Sequence, residues 1–273
     1  MELTKSRFIV MAVLLAAFGF TLLLGGGRQA AAKKSFAVLT VLYDNTAAKE
    51  GLEPDWGFAA IIQGLEKTIL FDTGTKEDVF LNNAKALDVD LKKVDLVFVS
   101  HEHNDHTGGL QAFLRIKSGI PIYVPAGAGQ PFQDALNKGG GQVVAVKDPV
   151  TLMPGVISSG DVGKAIPEQA LVFDTPKGLI LVTGCAHPGI VMMVEKAREL
   201  GKKDVWMVLG GFHLVQTPPA EVEKIVARFK ELGVKRVGAT HCTGAPAIEM
   251  FRKAYGADFV ELGVGRKIEL LVR

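Results

Sequence analysis

Cysteine is nearly absent from this chain: 273 residues carry only two, enough for one disulfide at most. A surplus of one charge is also missing. The 31 Lys and Arg face 29 Asp and Glu, and setting aside residues 1–32, with Lys5, Arg7, Arg28 and Glu2, leaves 28 basic and 28 acidic side chains. An enzyme of nucleic acids usually carries a basic excess that neutralises phosphates, so neither DNA nor RNA is expected as a partner, and small molecules become the candidate substrates. No repeat or low-complexity tract divides residues 33–273, where Gly and Pro clusters are short and scattered like turns. A single domain is expected there. With 48% hydrophobic and 22% charged residues, a disordered chain is excluded.

Long apolar runs are confined to the start, where Lys5 and Arg7 precede Phe8 to Leu24. Ala30 and Ala32 then form an A-x-A arrangement suited to cleavage before Lys33. Residues 1–32 are therefore expected to be an export signal. The alternative is a retained membrane anchor, because the run approaches the ~18 apolar residues of a spanning helix. Either way the folded domain, residues 33–273, is expected outside the cytoplasm, periplasmic or extracellular, with membrane contact only through residues 8–24 if they are uncleaved. In an oxidising compartment Cys185 and Cys242 could pair. Both also sit beside histidines, in TGCAHPG and THCTG, where metal or catalytic roles fit equally.

Periodicity organises the rest. SFAVLTVLY (35–43), GFAAIIQG (57–64) and KTILFDTG (67–74) read as strands, the last two joined by a tight turn around Leu65 and Glu66. KEDVFLNNAKAL (76–87) carries a helical pattern, and VDLVFVS (94–100) is a buried-strand run followed by a helix from about Gly108 to Lys117. IPIYV, GQVVAV, QALVFDT and LILVTG read as further strands, with a hairpin at residues 176–178. The remainder alternates helix and strand: VMMVEKAREL, DVWMVLGG, EVEKIVARFKEL, VKRVGATH, AIEMFRKAY and RKIELLVR. Sheets with helices packed outside them follow from this order.

Histidine is scarce too, yet three of the six stand within six positions, in SHEHNDHTGG (100–109). Every histidine follows an expected strand, at the carboxyl end where α/β proteins gather ligands. His101 and His103 are two apart, so in an extended segment their rings project to one side and can share a metal ion. Asp105 and His106 follow closely enough to hold a second ion. Their oxygen and nitrogen donors suit zinc, iron or manganese. Gly108 and Gly109 would let backbone pass behind the ligands. His187 and His241 stand among small residues and turns that leave room for an ion. His213, between Phe212 and Leu214, reads equally as a core histidine.

These residues resemble the metallo-β-lactamase superfamily, whose HxHxDH signature is met by His101, His103, Asp105 and His106. FDTG (71–74) resembles its upstream aspartate motif and THCTG (240–244) its last histidine, so the likeness extends over most of residues 36–273. The resemblance implies an α/β fold, an αββα sandwich with a dinuclear metal site at the sheet edges, and an Asp72 that orients a ligand. DTG, SHEHNDHTGG, GCAHPG, GGFHL and HCTG together are similar to the branch named for 7,8-dihydropterin-6-yl-methyl-4-(β-D-ribofuranosyl)aminobenzene 5′-phosphate synthase. The chain departs from the wider pattern twice. Residues 107–186 contain no histidine, where many members have a ligand, and Cys185 in TGC stands where a bridging aspartate would fall. His187 is therefore expected to complete or bridge the site, with Cys185 as the alternative ligand.

Two divalent cations, zinc first and iron or manganese as alternatives, would lower the pKa of a shared water from about 15.7 towards neutrality. The expected function is a metal-dependent hydrolase that turns such a metal-activated hydroxide on a small ester, a phosphoester by analogy with the branch's phosphorylated substrate. In this scheme His101, His103 and His187 hold one ion and Asp105, His106 and His241 the other. Asp105 also relays a proton, and His213 with the backbone at Gly210 and Gly211 contacts the substrate. One alternative keeps the metals but performs the pterin transfer with displacement of pyrophosphate. Another is a non-catalytic protein that binds metal or ligand.

Overall fold

Runs of Val, Ile and Leu too short for helices order this chain into sheets, and amphipathic segments between them become the covering helices. A computed structural model describes residues 35–272. The apolar run Phe8–Leu24, the boundary before Lys33 and the export or anchor reading of residues 1–32 lie outside the described residues. Among the described residues no helix is long and apolar enough to cross a membrane.

The chain begins with β1 (Ser35–Tyr43), β2 (Ala59–Gln63) and β3 (Ile69–Phe71), then α1 (Glu77–Ala86), β4 (Leu96–Phe98), α2 (Asn104–Thr107) and α3 (Leu110–Ile116). Next come β5 (Pro121–Pro125), α4 (Gln130–Lys138), β6 (Gln142–Val146), β7 (Val150–Met153), β8 (Val156–Ser158), β9 (Leu171–Thr175) and β10 (Gly178–Thr183). The last part is α5 (Ile190–Gly201), β11 (Val205–Gly211), α6 (Pro219–Glu231), β12 (Arg236–Thr240), α7 (Ala245–Tyr255) and β13 (Lys267–Val272).

The first sheet has the order β13-β1-β2-β3-β4-β5-β6 and the second β12-β11-β10-β9-β8-β7. β3 to β6 run parallel in the first, as do β10 to β12 in the second. Between the sheets one apolar core joins Phe58, Phe71 and Phe98 to Phe173, Ile180 and Met207. A second core sets α1, α3 and α4 against the outside of the first sheet through Phe80, Phe113 and Leu136. A third sets α5, α6 and α7 against the outside of the second. The result is the expected αββα sandwich.

α6 shows the logic of the outer layers. Pro219 sits in its first turn, where a missing N–H costs nothing. Val222, Val226 and Phe229 recur at helical spacing and are buried, while the charged residues face outward. Phe229 then meets Phe212 and Phe251, with ring centroids 5.3–5.9 Å apart. This triangle fixes the loop after β11 to α6 and α7.

The structure differs from the expected elements in three places. α4 stands as a helix between two expected strands: QPFQDALNK is amphipathic, but it has only nine residues and Leu136 is its only buried side chain. The hairpin β7–β8 was also missed, because strands of four and three residues joined by Pro154 and Gly155 offer too short a pattern. The single helix expected from Gly108 is preceded by a separate turn of helix, α2, at Asn104–Thr107.

Phe251 is fully buried in the aromatic triangle. Phe251→Ala is expected to lower the unfolding free energy by about 3–5 kcal/mol, read by urea denaturation; a loss below about 1 kcal/mol would show that α7 does not depend on this contact.

Candidate metal centre

The parallel strands of both sheets end on one edge, and the chemistry-bearing residues leave from those ends. Asp72 follows β3, Ser100 and His101 lie just past β4, Cys185 and His187 follow β10, His213 follows β11 and His241 follows β12. The backbone there is bent hard. Asp72, Ala186, His213 and His241 have φ of 52°, 60°, 53° and 50°, four of the six non-glycine residues with positive φ among the described residues. Each such residue costs roughly 1–3 kcal/mol unless its surroundings hold it.

Close packing behind the loops supplies that hold. A Cβ on Gly184 would lie 2.1 Å from Ser100 Oγ, and one on Gly108 would lie 1.8 Å from Thr75 O, so no side chain fits at either position. Gly108 therefore does what its motif suggested, allowing α2 to pack on the loop after β3. Thr73 N donates to His106 O at 2.7 Å and Gly108 N to Gly74 O at 2.8 Å.

Outer acceptors fix the orientation of four imidazoles. His106 Nδ1 donates to Asp72 Oδ2 at 2.8 Å, and His187 Nδ1 donates to Glu168 Oε2 at 3.0 Å. Ser100 Oγ gives its one proton to Asp72 Oδ2 at 2.7 Å, so at 2.9 Å it can only accept from His101 Nδ1. His241 Nδ1 donates to Asn45 Oδ1 at 3.0 Å, an amide oriented by its own Nδ2 bond to His241 O. With Nδ1 the donor in all four, each neutral ring turns the lone pair of Nε2 inward, that of His106 towards Cys185 Sγ.

Those lone pairs gather in two adjoining clusters. His101, His103 and His187 form one; Asp105, His106, Cys185 and His241 form the other, with donor atoms in each group within 4.8 Å of one another. Cys185 Sγ is 3.2 Å from His106 Nε2, and it also groups with His187 and His213. It is thus the donor that reaches towards both clusters. Asp105 Oδ2 lies 3.3 Å from His241 Nε2 and accepts from Trp56 Nε1 at 2.9 Å.

The electrostatics favour neutral rings at His101, His103 and His106 and ionised carboxylates at Asp105 and Glu168, whereas burial pushes the Asp72 carboxyl well up. Burial drives His101 well below the usual histidine range, lowers His103 and pushes His106 down to about 3. Burial also acts to raise Asp105, yet His241 and His106 beside it carry its carboxyl below the usual range. Glu168 is buried as well, but the His187 bond and the backbone donors of Ala186 and His187 hold it at about 2. For His241 burial is outweighed by the Asp105 carboxylate, which raises it.

Divalent metal ions fit this arrangement. His101 Nε2 and His241 Nε2 are buried without a hydrogen-bond partner, an arrangement costing roughly 1–3 kcal/mol per group that ligation would offset. Neutral imidazole and carboxylate are donor forms that ligation uses, and a bound cation would draw the proton from Cys185, whose thiol burial pushes up.

The structure brings together all the singled-out residues: His101, His103, Asp105, His106, His187 and His241 in the clusters, Asp72 behind His106 and His101, and Cys185 between the groups. His213 stands exposed at the edge, its ring 4.3 Å from that of His187. Its neighbour Cys242 accepts from His213 N at 3.3 Å, and both cysteines are buried free thiols. Sequence reasoning missed Glu168, which accepts from the backbone N–H of Cys185, Ala186 and His187 at 2.7–2.9 Å. It also missed Trp56, Asn45 and Ser100. Of these only Ser100 carried a signal, by standing beside His101 in the motif.

The sequence model of the family described as Metallo-beta-lactamase superfamily matches residues 54–201. The chain is 34% identical to the 7,8-dihydropterin-6-methyl-4-(beta-D-ribofuranosyl)-aminobenzene-5'-phosphate synthase of Methanocaldococcus jannaschii, over 76% of this chain and 85% of that one. It is similar to the solved structure of Tm1679, a metal-dependent hydrolase of the beta-lactamase superfamily, with a TM-score of 0.73, 28% identity and coverage of 86% of this chain and 99% of that one. The metallo-beta-lactamase fold protein YhfI from Bacillus subtilis shares the fold, with a TM-score of 0.63, 16% identity and coverage of 87% and 100%.

The outer acceptors give a direct test. Asp72→Ala and Glu168→Ala are each expected to weaken zinc binding about 10–100-fold, measured by competition with a chromogenic chelator. Affinity equal to that of the unsubstituted chain would show that these carboxylates do not orient the donors.

Proposed function

The chain belongs to the metallo-beta-lactamase superfamily, and from that premise we propose that it is a metal-dependent hydrolase of small esters, phosphoesters first. One observation carries the reading: two adjoining donor clusters in which four of the five imidazoles hold Nδ1 to an outer partner and turn Nε2 inward. Two divalent ions, zinc first and iron or manganese as alternatives, would supply Lewis acidity that ionises a water near neutral pH and draws charge from an ester oxygen.

The chain's own residues do the remaining work. His101, His103 and His187 would hold one ion; Asp105, His106 and His241 would hold the other. Cys185, rather than His187, is the better candidate for the shared donor, since its sulfur groups with residues of both clusters. Asp72 and Glu168 keep the imidazoles turned inward. Asp105, partly buried and held at Oδ2 by the Trp56 Nε1 bond, would relay a proton from that water. His213, exposed beside His187, would contact the substrate's acidic group.

A second reading has support of its own, the 34% identity to the M. jannaschii synthase. In it the same centre joins a dihydropterin-methyl group to a ribofuranosylaminobenzene phosphate with loss of pyrophosphate. The export or anchor role for residues 1–32, and with it a site of action outside the cytoplasm, stays part of the proposal. The sequence pattern of Lys5, Arg7 and Phe8–Leu24 supports it.

One set of assays separates these readings. Purified, metal-loaded protein is offered bis(p-nitrophenyl) phosphate, a lactone series and the pterin pair, before and after chelation, with elemental analysis of the same samples. The expected outcome is two divalent ions per chain and phosphodiester hydrolysis that chelation abolishes and zinc restores. Turnover of the pterin pair alone would favour the synthase reading, and metal-loaded protein inert on every substrate would leave a binding role.

A further inference from the structure

A cavity of about 630 Å³ adjoins the donor clusters on the side of His241. Trp56 and His241 form the wall it shares with the centre, Val215, Ile248 and Leu262 line it with apolar surface, and Asn45 lies beside them. Its size falls within the about 300–1,000 Å³ typical of small-molecule sites. Two large apolar side chains that line it are left in solvent: Trp56 is 48% exposed and Val215 50%. Exposed apolar surface gathered at a cleft marks a ligand contact more often than it does when scattered.

Trp56 is held in place despite its exposure. Its Nε1 donates to Asp105 Oδ2 at 2.9 Å, and its ring lies 4.9 Å from that of His241 at 55°. Thr75 Oγ1 binds the Trp56 carbonyl, and Gly57 N donates to Asn45 Oδ1 at 3.2 Å. An indole clamped along one edge has already lost its rotamer freedom, so stacking a ring on its open surface costs little further entropy. Two arginines line the cavity as well: Arg252 is engaged by Glu249 and Glu261, and Arg266 stands near enough to Glu261 to lower its carboxyl.

We infer that this cavity receives a planar aromatic group of the substrate, with Trp56 as the surface on which that group stacks beside the metal centre. The inference deepens the ester-hydrolase reading and rests on it for the location of the reacting bond. An aliphatic group of equal size would fill the cavity but gain no stacking, so the structure assigns the site a preference for flat rings.

Phenylphosphonate and cyclohexylphosphonate, which differ in planarity and resist hydrolysis, test this by calorimetric titration of the full, metal-loaded chain. Phenylphosphonate is expected to bind about tenfold more tightly, the preference surviving in Trp56→Phe and disappearing in Trp56→Ala. Ile248→Trp, which fills the cavity from α7, is expected to weaken phenylphosphonate about tenfold with bound metal unchanged. Equal binding of the two probes, no binding of either, or equal loss in the Phe and Ala variants would overturn the inference. The last outcome would mean that Trp56 acts through Asp105 and not through its ring. A chain that keeps the aryl preference but shows no chelator-sensitive ester turnover would uphold the cavity while removing the hydrolase reading.

Discussion

The outward Nδ1–H bonds of four histidines are the constraint on which this centre depends. A neutral imidazole can present either nitrogen, and only the partner of the other one decides which. Asp72, Ser100, Glu168 and Asn45 supply that decision for His106, His101, His187 and His241. Without them the rings would be free to turn or to exchange tautomers, and the inward lone pairs would be lost. Glu168 shows how much of the fold serves this end: one buried carboxylate gathers three backbone N–H groups and an imidazole, and so shapes the loop after β10 as well as orienting His187.

The two sheets contribute unequally and jointly. The first delivers Asp72, His101, His103, Asp105 and His106 from the ends of β3 and β4; the second delivers Cys185, His187, His213 and His241 from β10, β11 and β12. The core between the sheets, with Phe71 and Phe98 stacked at 5.4 Å, therefore sets the spacing of the donor clusters as well as the stability of the fold. Positive φ at Asp72, Ala186, His213 and His241 places the strain where the loops must turn back into the site. Tight packing at Gly108 and Gly184 keeps that strain from relaxing.

Much of this was legible in the sequence, for reasons that differ residue by residue. His101, His103, Asp105 and His106 are readable because a metal needs several donors from one short segment, and that leaves a compact pattern. His187 and His241 were readable as scarce residues at strand ends. Strand periodicity likewise located most elements of both sheets, whereas the strands of the β7–β8 hairpin are too short to leave a pattern and α4, nine residues set between strands, buries only Leu136. Glu168 was not readable: it stands in PEQA, far along the chain from the histidine it serves, and a lone glutamate there looks like any surface acid. Trp56 and Asn45 are hidden for the same reason, since their partners are distant in sequence and only the closing of the two sheets brings them together. Cys185 occupied the position of an expected aspartate, and its reach towards both clusters became visible only in three dimensions.

The tautomer of each ring is the quantity closest to the central claim, and long-range ¹H–¹⁵N correlation spectra of zinc-loaded, ¹⁵N-histidine-labelled protein report it directly. His101, His106, His187 and His241 should each carry their proton on Nδ1, with Nε2 unprotonated and shifted by ligation. A proton found on Nε2 of these residues in the loaded protein would contradict the account.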